Sequence, residues 1–265
     1  MPFQSTDSVR YYYFESLQEA GINHAMFTRQ GGVSPDPWAA LNVGGTVGDD
    51  PQRVSENRLR AMRSIGQTTD RIYDVWQVHS SEVVIADAPR PVHQTHAKAD
   101  AILTDRVGVY LFMRFADCVP ILLYDPIKRV VGIVHAGWLG TVNRVATAAV
   151  KAMQDQYGSK AIDIKAALGP SIGAHHYEIG MEVIEKVEQT FGSAARGLLG
   201  SYNGSPKGSG VQFDLWEANR LLLEQAGLSQ IEISGICTAC HKEDWYSHRG
   251  EAGRTGRFGV AIGLE

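Results

Sequence analysis

The middle of the chain consists of short apolar runs separated by polar or glycine-containing breaks, a pattern typical of β-strands. One of these breaks, DPIK, is predicted to form the turn between two successive runs. Similar runs lie on both sides, so strands are predicted along most of the chain. In chain order the predicted strands are INHAMFT, IYDVWQVH, EVVIAD, ADAILTD, VYLFMRF, PILLY, VVGIVH, IDIKAALGP, ISGIC and RFGVAIGL.

Four other segments repeat apolar residues at three- and four-residue spacing, which predicts amphipathic helices. The first follows Asp50, which is placed as an N-cap before a proline. The second is predicted to begin at a Thr141 cap and to end at Gly158. Asp214 is predicted to cap the last of them. The third and fourth helices are MEVIEKVEQTF and LWEANRLLLEQAG.

Two segments rich in glycine are predicted to be loops. RQGGVSPDPWAALNVGGTVGDD is unusually long for a loop inside a compact domain, which is typical of a functional or mobile segment. GLLGSYNGSPKGSGVQ is interpreted as a surface loop and not as a domain boundary. A strand-rich centre flanked by helices favours one α/β or α+β domain over residues 1–265, with helices packed on mixed sheets.

The composition restricts which kinds of molecule the protein is expected to bind and where it is expected to be located. The 25 Lys and Arg residues are scattered and are outnumbered by 29 Asp and Glu residues, which argues against a nucleic-acid surface. No stretch approaches the roughly 18 apolar residues of a membrane span, and the start does not resemble a signal peptide, so a cytoplasmic location is predicted. Three cysteines are too few and too unevenly placed for a disulfide framework.

Three candidate metal ligands stand at the ends of predicted strands: Cys118 just before PILLY, His135 at the end of VVGIVH and His79 at the end of IYDVWQVH. If the strands beside DPIK are antiparallel neighbours, Cys118 and His135 lie about equally far from the turn and face each other. Two imidazoles and one thiolate would form a zinc site with an open fourth position, as in catalytic sites. The alternative is a packed cysteine and hydrogen-bonded histidines.

Other motifs leave their alternatives open. CTACH, with Cys237 and Cys240, matches a haem attachment motif, but packing is favoured over haem, a redox role or a second metal. TRQGGVS joins Arg29 to two glycines, which would suit a phosphate or carboxylate, although a turn with a solvated arginine explains it equally well. SHRGEAGRTGR is a similar basic loop. The chain has no P-loop and no dinucleotide-binding fingerprint.

A set of motifs follows one order through nearly the whole chain, and ADC and HAGW are the most specific of them. They are TRQGGVS, LNVG, VGDDP, QVHS, ADAILTD, ADCVPILLYDP, VHAGWLGT, LGPSIG, YEIG, CT, YSHR and GRTGR. This order resembles the laccase-domain family of purine nucleoside phosphorylases, whose members were formerly known as multicopper polyphenol oxidases.

The resemblance implies an α/β/β/α layered sandwich with a zinc site whose ligands fall on QVH, ADC and VHAGW, which are His79, Cys118 and His135 in this sequence. It also implies phosphorolysis of adenosine, inosine and methylthioadenosine, together with adenosine deamination, so purine nucleosides and phosphate are the expected partners. Copper is the alternative metal. A four-copper laccase is not expected, because it would nearly exhaust the nine histidines of the chain.

Further roles follow from the resemblance or from position. Asp117, beside Cys118, is a candidate general acid or base, with the alternative that it only caps a strand. Arg29 and Asn42 are interpreted as parts of the substrate pocket. HHYEIG departs from the family pattern, and its His175 and His176 would alter the pocket lining or add a metal ligand. Alternative functions are a metal-dependent amidohydrolase that edits cell-wall precursors, a copper-dependent polyphenol oxidase and a metal-stabilised binding module. The sequence does not indicate an oligomeric state.

Overall fold

The computed structural model of the protein describes residues 2–201 and 210–265. The helices in these ranges are α1 (Glu15–Glu19), α2 (Pro51–Ser64), α3 (Trp138–Val142), α4 (Val145–Tyr157), α5 (Met181–Phe191), α6 (Ala195–Leu198) and α7 (Leu215–Gln225). The strands are β1 (Phe3–Thr6), β2 (Val9–Tyr12), β3 (Asn23–Phe27), β4 (Ile72–Asp74), β5 (Val83–Ile85), β6 (Ala101–Thr104), β7 (Tyr110–Phe115), β8 (Val119–Asp125), β9 (Val130–Ala136), β10 (Lys165–Leu168), β11 (Glu178–Ile179), β12 (Leu199–Ser201), β13 (Val211–Phe213), β14 (Gln230–Ile233) and β15 (Phe258–Gly263).

Two large sheets and one small sheet organise the strands. The first large sheet has the order β1-β2-β3-β15-β7-β4, and only β4 runs parallel to its neighbour. The second has the order β14-β10-β8-β9-β6-β5, and β14 and β5, its edge strands, run parallel to their neighbours. The small sheet has the order β11-β13-β12. Both large sheets are therefore mixed.

The central strands of the second sheet are buried on both faces. Ile121 and Leu123 of β8 pack into a core shared with α4, α5 and α7, whereas Leu122 and Tyr124 join the core between the two large sheets. This division follows from the alternation of side chains along a strand. Met62 of α2 packs on the outer face of the first sheet. The layers are helix, sheet, sheet, helix, which confirms the predicted α/β/β/α sandwich.

Most of the predicted helix boundaries are confirmed. The Asp50 carboxylate accepts hydrogen bonds from the backbone N–H groups of Gln52 and Arg53, and the Asp214 carboxylate accepts one from Glu217. Gly158 ends α4 in the left-handed conformation, with φ of 66°. The segment MEVIEKVEQTF forms α5 over its full length.

The predicted cap at Thr141 is wrong. Thr141 lies inside the short helix α3, and α4 begins only at Val145, after Arg144 adopts a left-handed φ of 61°. The Thr141 hydroxyl accepts a hydrogen bond from Asn219 Nδ2 of α7 at 2.9 Å. The Thr141 hydroxyl is therefore part of a tertiary hydrogen bond and does not cap a helix.

Two predicted strands are shorter than their apolar pattern indicates. IYDVWQVH forms a strand only over Ile72–Asp74. In ISGIC only Ile233 belongs to a strand, as the last residue of β14, and Cys237 makes an isolated bridge to Ser171. The hairpin of β1 and β2 was not predicted, because β1 is mostly exposed and lacks apolar alternation.

The two predicted loops have different outcomes. RQGGVSPDPWAALNVGGTVGDD contains no helix or strand, as predicted. In GLLGSYNGSPKGSGVQ, residues 202–209 lie outside the described residues, and strands β12 and β13 occupy the flanking positions. No helix in the described ranges has both the length and the apolar character that a membrane span requires.

Candidate metal centre

Two of the candidate ligands lie on the hairpin of β8 and β9. In its register Val119 pairs with Ala136 and Pro120 pairs with His135. Cys118 is therefore two residues away from the position directly opposite His135, and the predicted face-to-face pairing is wrong by this offset. An offset of two keeps both side chains on the same face of the sheet, because side chains alternate with a period of two. The hairpin thus presents a thiol and an imidazole diagonally on one face.

The third candidate, His79, does not end a strand as predicted, because β4 already stops at Asp74. It lies in a loop with a left-handed φ of 61°. This loop folds around the buried carboxylate of Asp100, whose Oδ2 accepts hydrogen bonds from the backbone N–H of Val78 at 3.1 Å and of Ser80 at 2.6 Å. The hydroxyl of Ser80 donates a third, at 2.9 Å. The residues on either side of His79 are therefore fixed by one carboxylate.

The structure brings the three predicted ligands together. One ligand atom each from His79, Cys118 and His135 lies within 4.8 Å of the others. The Cys118 Sγ is 4.0 Å from His79 Nε2, and the two imidazole rings are 4.9 Å apart. Two imidazole nitrogens and one sulfur form a donor set suited to zinc or copper, and three protein ligands leave a fourth position for another molecule.

Asp100 also determines the orientation of His135. Its Oδ1 lies 2.8 Å from His135 Nδ1, which places an N–H on that nitrogen and leaves Nε2 as the nitrogen that could bind a metal ion. Asp100 therefore supports two of the three candidate ligands at once. Asp100 was not among the predicted site residues, although its place at the start of the apolar run ADAILTD is a signal in the sequence.

The cluster places a thiolate beside an imidazolium, and a metal ion would have to displace the imidazolium proton. Burial opposes a thiolate, but the imidazoles of His135 and His79 outweigh it and lower the pKa of Cys118 to about 6. Burial likewise opposes an imidazolium, but Cys118 and Asp100 raise the pKa of His135 to about 9. Burial would raise the pKa of Asp100, yet its hydrogen bonds hold it at about 2. Cys118 is therefore a thiolate at neutral pH, the form of cysteine that binds metals.

Gly137 has no side chain, and the cluster occupies the space that a side chain at this position would fill. A Cβ atom at this position would lie 2.8 Å from Cys118 Sγ and 3.1 Å from His79 Cδ2. Its φ of −76° is accessible to any residue, so the requirement for glycine is one of space and not of backbone conformation. The donors, their charge and this free space fit a bound metal ion.

Asp117 lies beside the cluster and joins two loops. Its φ is 81°, and its Oδ1 accepts a hydrogen bond from Thr238 Oγ1 at 2.7 Å. Its Oδ2 accepts one from the backbone N–H of Arg249 at 2.6 Å, and its carbonyl accepts one from Ile172. Through these contacts Asp117 positions the segments that contain Thr238, Arg249 and Ile172. Its role as a general acid or base stays a prediction.

The two predicted substrate-binding residues make structural contacts. The Arg29 guanidinium donates to the carbonyls of Ala39 and Lys242, pairs with Glu251 at 3.0 Å and lies over the ring of Tyr246. These contacts join the long loop to the C-terminal region. The substrate role of Arg29 stays a prediction.

Asn42 is fully buried, and both ends of its side-chain amide are hydrogen-bonded. Its Oδ1 also accepts a hydrogen bond from the backbone N–H of Arg257 at 2.9 Å. The side chain of Asn42 therefore holds neighbouring groups in place, among them the backbone of Arg257. Its place in the substrate pocket stays a prediction.

The basic loop near the C-terminus brings two arginines close to the cluster. Burial lowers the pKa of Arg257, while Cys118 and Asp117 act in the opposite direction, so the guanidinium is within electrostatic reach of both. Arg249 lies over the ring of Tyr177 at 5.2 Å and donates to the carbonyl of Glu178. From the sequence alone, this loop was predicted only to be basic and rich in glycine.

The sequence profile of the family described as multi-copper polyphenol oxidoreductase laccase matches residues 23–265. The chain belongs to this family. Curated relatives of the chain are named for a different activity from the one in the family description. A protein of Deinococcus radiodurans named purine nucleoside phosphorylase is 40% identical over 243 residues, which cover 92% of this chain and 89% of that protein. Purine nucleoside phosphorylase YlmD of Bacillus subtilis is 36% identical, over 90% of this chain and 87% of that protein.

Solved structures of family relatives share the fold. The hypothetical protein YfiH of Bacillus licheniformis superposes with a TM-score of 0.90 at 33% identity, covering 100% of this chain and 99% of the other. YlmD of Geobacillus stearothermophilus superposes with a TM-score of 0.88 at 32% identity, with the same coverage. The layered sandwich is therefore the fold of the family, and the predicted family membership is confirmed.

Proposed function

We propose that the protein is a zinc-dependent purine nucleoside phosphorylase. It cleaves the glycosidic bond of adenosine, inosine and methylthioadenosine with phosphate, and it also deaminates adenosine. The observation that carries the proposal is the convergence of His79, Cys118 and His135 on one point from three separate segments. The names of relatives that are 36–40% identical support nucleoside phosphorolysis as the reaction.

His79, Cys118 and His135 would hold the metal ion. Zinc is preferred because mixed histidine and cysteine ligands suit it, and three protein ligands are the pattern of catalytic zinc sites. When bound there, zinc would supply Lewis-acid polarisation of an oxygen atom of the substrate or of water.

Asp100 has a positioning role in this proposal. It keeps the proton of His135 on Nδ1 and holds the loop that carries His79, so two ligands are orientated before the metal binds. Preorganisation of this kind reduces the loss of conformational entropy that accompanies metal binding.

Arginines would provide the positive charge that phosphorolysis needs. The phosphate oxygen forms a bond to the anomeric carbon while the bond to the purine nitrogen breaks, and the purine leaves with the electron pair and takes up a proton. The charge of Cys118 acts on the pKa of Arg257, and the backbone N–H of Arg249 donates to Asp117, the residue before Cys118. We assign phosphate binding to these two residues, because guanidinium groups bind phosphate bidentately and stabilise its charge.

The test is to incubate zinc-loaded protein with inosine and phosphate and to measure hypoxanthine and ribose 1-phosphate. We expect both products in equal amounts, and none when phosphate is omitted. The same protein with adenosine should release adenine in the presence of phosphate, and inosine and ammonia without it. Failure of zinc-loaded protein to consume any nucleoside would refute the proposal.

Matched variants separate the role of the cluster from general damage to the protein. His79→Ala should lose turnover, whereas His93→Ala, at an exposed position outside the metal centre, should retain it. Equal activity in the two variants would count against the metal centre.

Copper-dependent oxidation of phenols is a second candidate, because the family description names a laccase and two histidines with one cysteine also form the ligand set of blue-copper sites. Oxygen uptake by copper-loaded protein with a phenol tests it. Uptake that exceeds nucleoside turnover by zinc-loaded protein would favour the oxidase.

A further inference from the structure

A second group of potential metal ligands lies outside the centre described above. His175, His176, Cys237 and Cys240 each contribute one ligand atom, and the four atoms lie within 4.8 Å of one another. His175 Nε2 is 3.1 Å from Cys240 Sγ, and the two imidazole rings are 4.7 Å apart. We propose that these four side chains bind a second metal ion, a zinc ion held by two cysteines and two histidines.

The donor set is that of a structural zinc site. Four protein ligands of the Cys₂His₂ type fill a tetrahedral ion and leave no position open for substrate. With bond lengths of about 2.3 Å to sulfur and about 2.0 Å to nitrogen, tetrahedral geometry places the ligand atoms about 3.3–3.8 Å apart. The observed atoms lie within 4.8 Å of one another, so side-chain rotations of small amplitude suffice to complete the site.

The backbone around the cluster supports this assignment. Gly173 N–H donates a hydrogen bond to Cys237 Sγ at 3.2 Å, a contact of the kind that orientates metal-bound thiolates. A Cβ atom on Gly173 would lie 2.6 Å from His175 Cε1, so the glycine makes room for the imidazole ring of His175 beside Cys237. Cys237 is buried, whereas the other three ligands are exposed, which gives an ion a route from solvent.

The second site would stabilise one wall of the first centre. It joins the turn that contains His175 to the loop that contains Cys237, two segments more than 60 residues apart. Thr238, the neighbour of Cys237, donates a hydrogen bond to Asp117, and Asp117 precedes Cys118 in the chain. Ile172 also donates to the Asp117 carbonyl. An ion at the second site therefore restrains both loops that contact Asp117.

The experiment is to count bound metal in four proteins: wild type, Cys240→Ser, Cys118→Ser and the double variant. Each is stripped with a chelator under a reductant, which keeps Cys237 and Cys240 from forming a disulfide, and is then reloaded with zinc and desalted. We expect two zinc ions per chain in the wild type, one in each single variant and none in the double variant. His241→Ala is the matched control, because His241 lies in the same loop but outside the cluster, and it should retain two ions.

Two results would overturn the second site. One is a zinc content in Cys240→Ser equal to that of the wild type, and the other is a zinc-free Cys118→Ser protein. The proposed catalytic centre can fail separately, since the wild type would then bind one ion that Cys118→Ser keeps and Cys240→Ser loses.

Cobalt provides a second readout that does not depend on activity. Two thiolates bind the ion at the second site against one at the first, so the thiolate-to-cobalt charge-transfer band should be about twice as intense in Cys118→Ser as in Cys240→Ser. Equal intensities would contradict the assigned ligands. The chelator should also lower the Tm of Cys118→Ser but not that of the double variant, because only a bound ion adds to stability.

Discussion

Replacing Asp100 by asparagine removes one charge and almost no volume. In the wild type, Oδ1 accepts the N–H of His135 Nδ1, while Oδ2 accepts three hydrogen bonds from Val78 and Ser80. Asparagine has a single acceptor oxygen. If its NH₂ group faces His135, the ring proton must move to Nε2, the nitrogen that faces the cluster. If the amide is reversed, the NH₂ group meets three N–H and O–H donors.

Either orientation weakens the metal centre. Loss of a partner that orientates a metal-binding histidine typically costs about 10–100-fold in metal affinity. This corresponds to about 1.4–2.7 kcal/mol of binding free energy. In the reversed orientation the unpaired donors of Ser80 and Val78 also lower the free energy of unfolding, by about 1–3 kcal/mol for each donor left buried without a partner.

The assay is competition for zinc with a chromophoric chelator, in a Cys240→Ser background so that the second cluster does not contribute. Asp125→Asn is the matched control, because Asp125 is equally buried at the end of β8 but uses only Oδ1, which accepts from Ile127 and Lys128. We expect the loss of affinity in Asp100→Asn and unchanged affinity in Asp125→Asn. Zinc affinity in Asp100→Asn within about twofold of its parent would refute the reasoning, given the range expected for such partners.

Three further predictions concern other positions. Gly137→Ala should displace the Cys118 and His79 side chains and reduce bound zinc, whereas Gly45→Ala, where a Cβ meets no atom within 4 Å, should bind zinc normally in the same metal analysis. Arg257→Gln should raise the KM for phosphate about 10–100-fold, from the loss of a charge-assisted hydrogen bond, with the KM for inosine little changed in initial-rate kinetics. Burial lowers the pKa of His24 from 6.5 to about 4, so its contribution to stability is full above pH 6.5 and is lost as the pH falls towards 4. Urea unfolding should show a loss of about 3 kcal/mol over this interval that is absent in His24→Gln; an equal pH dependence in both proteins would contradict the assignment.

The three ligands of the candidate centre could be predicted from the sequence, but for different reasons. Cys118 and His135 adjoin apolar runs that form a hairpin, so local pattern was enough to place them on neighbouring strands. The two-residue offset between them could not be predicted, because strand register depends on the pairing of the whole hairpin. His79 was assigned to a strand end, but the carboxylate of Asp100 draws its segment into a loop.

The amino-acid sequence by itself determined the strands of the central sheets, the helices capped by Asp50 and Asp214, and the family. These features depend on periodicity and on contacts within a few residues, which a linear pattern records. Only the tertiary structure decided that Asp100 serves two ligands, that Asp117 holds the backbone of Arg249, and that the segments of His175 and Cys237 meet. Those contacts join residues 20 or more positions apart, and their geometry depends on how the layers pack and which loops that packing brings together.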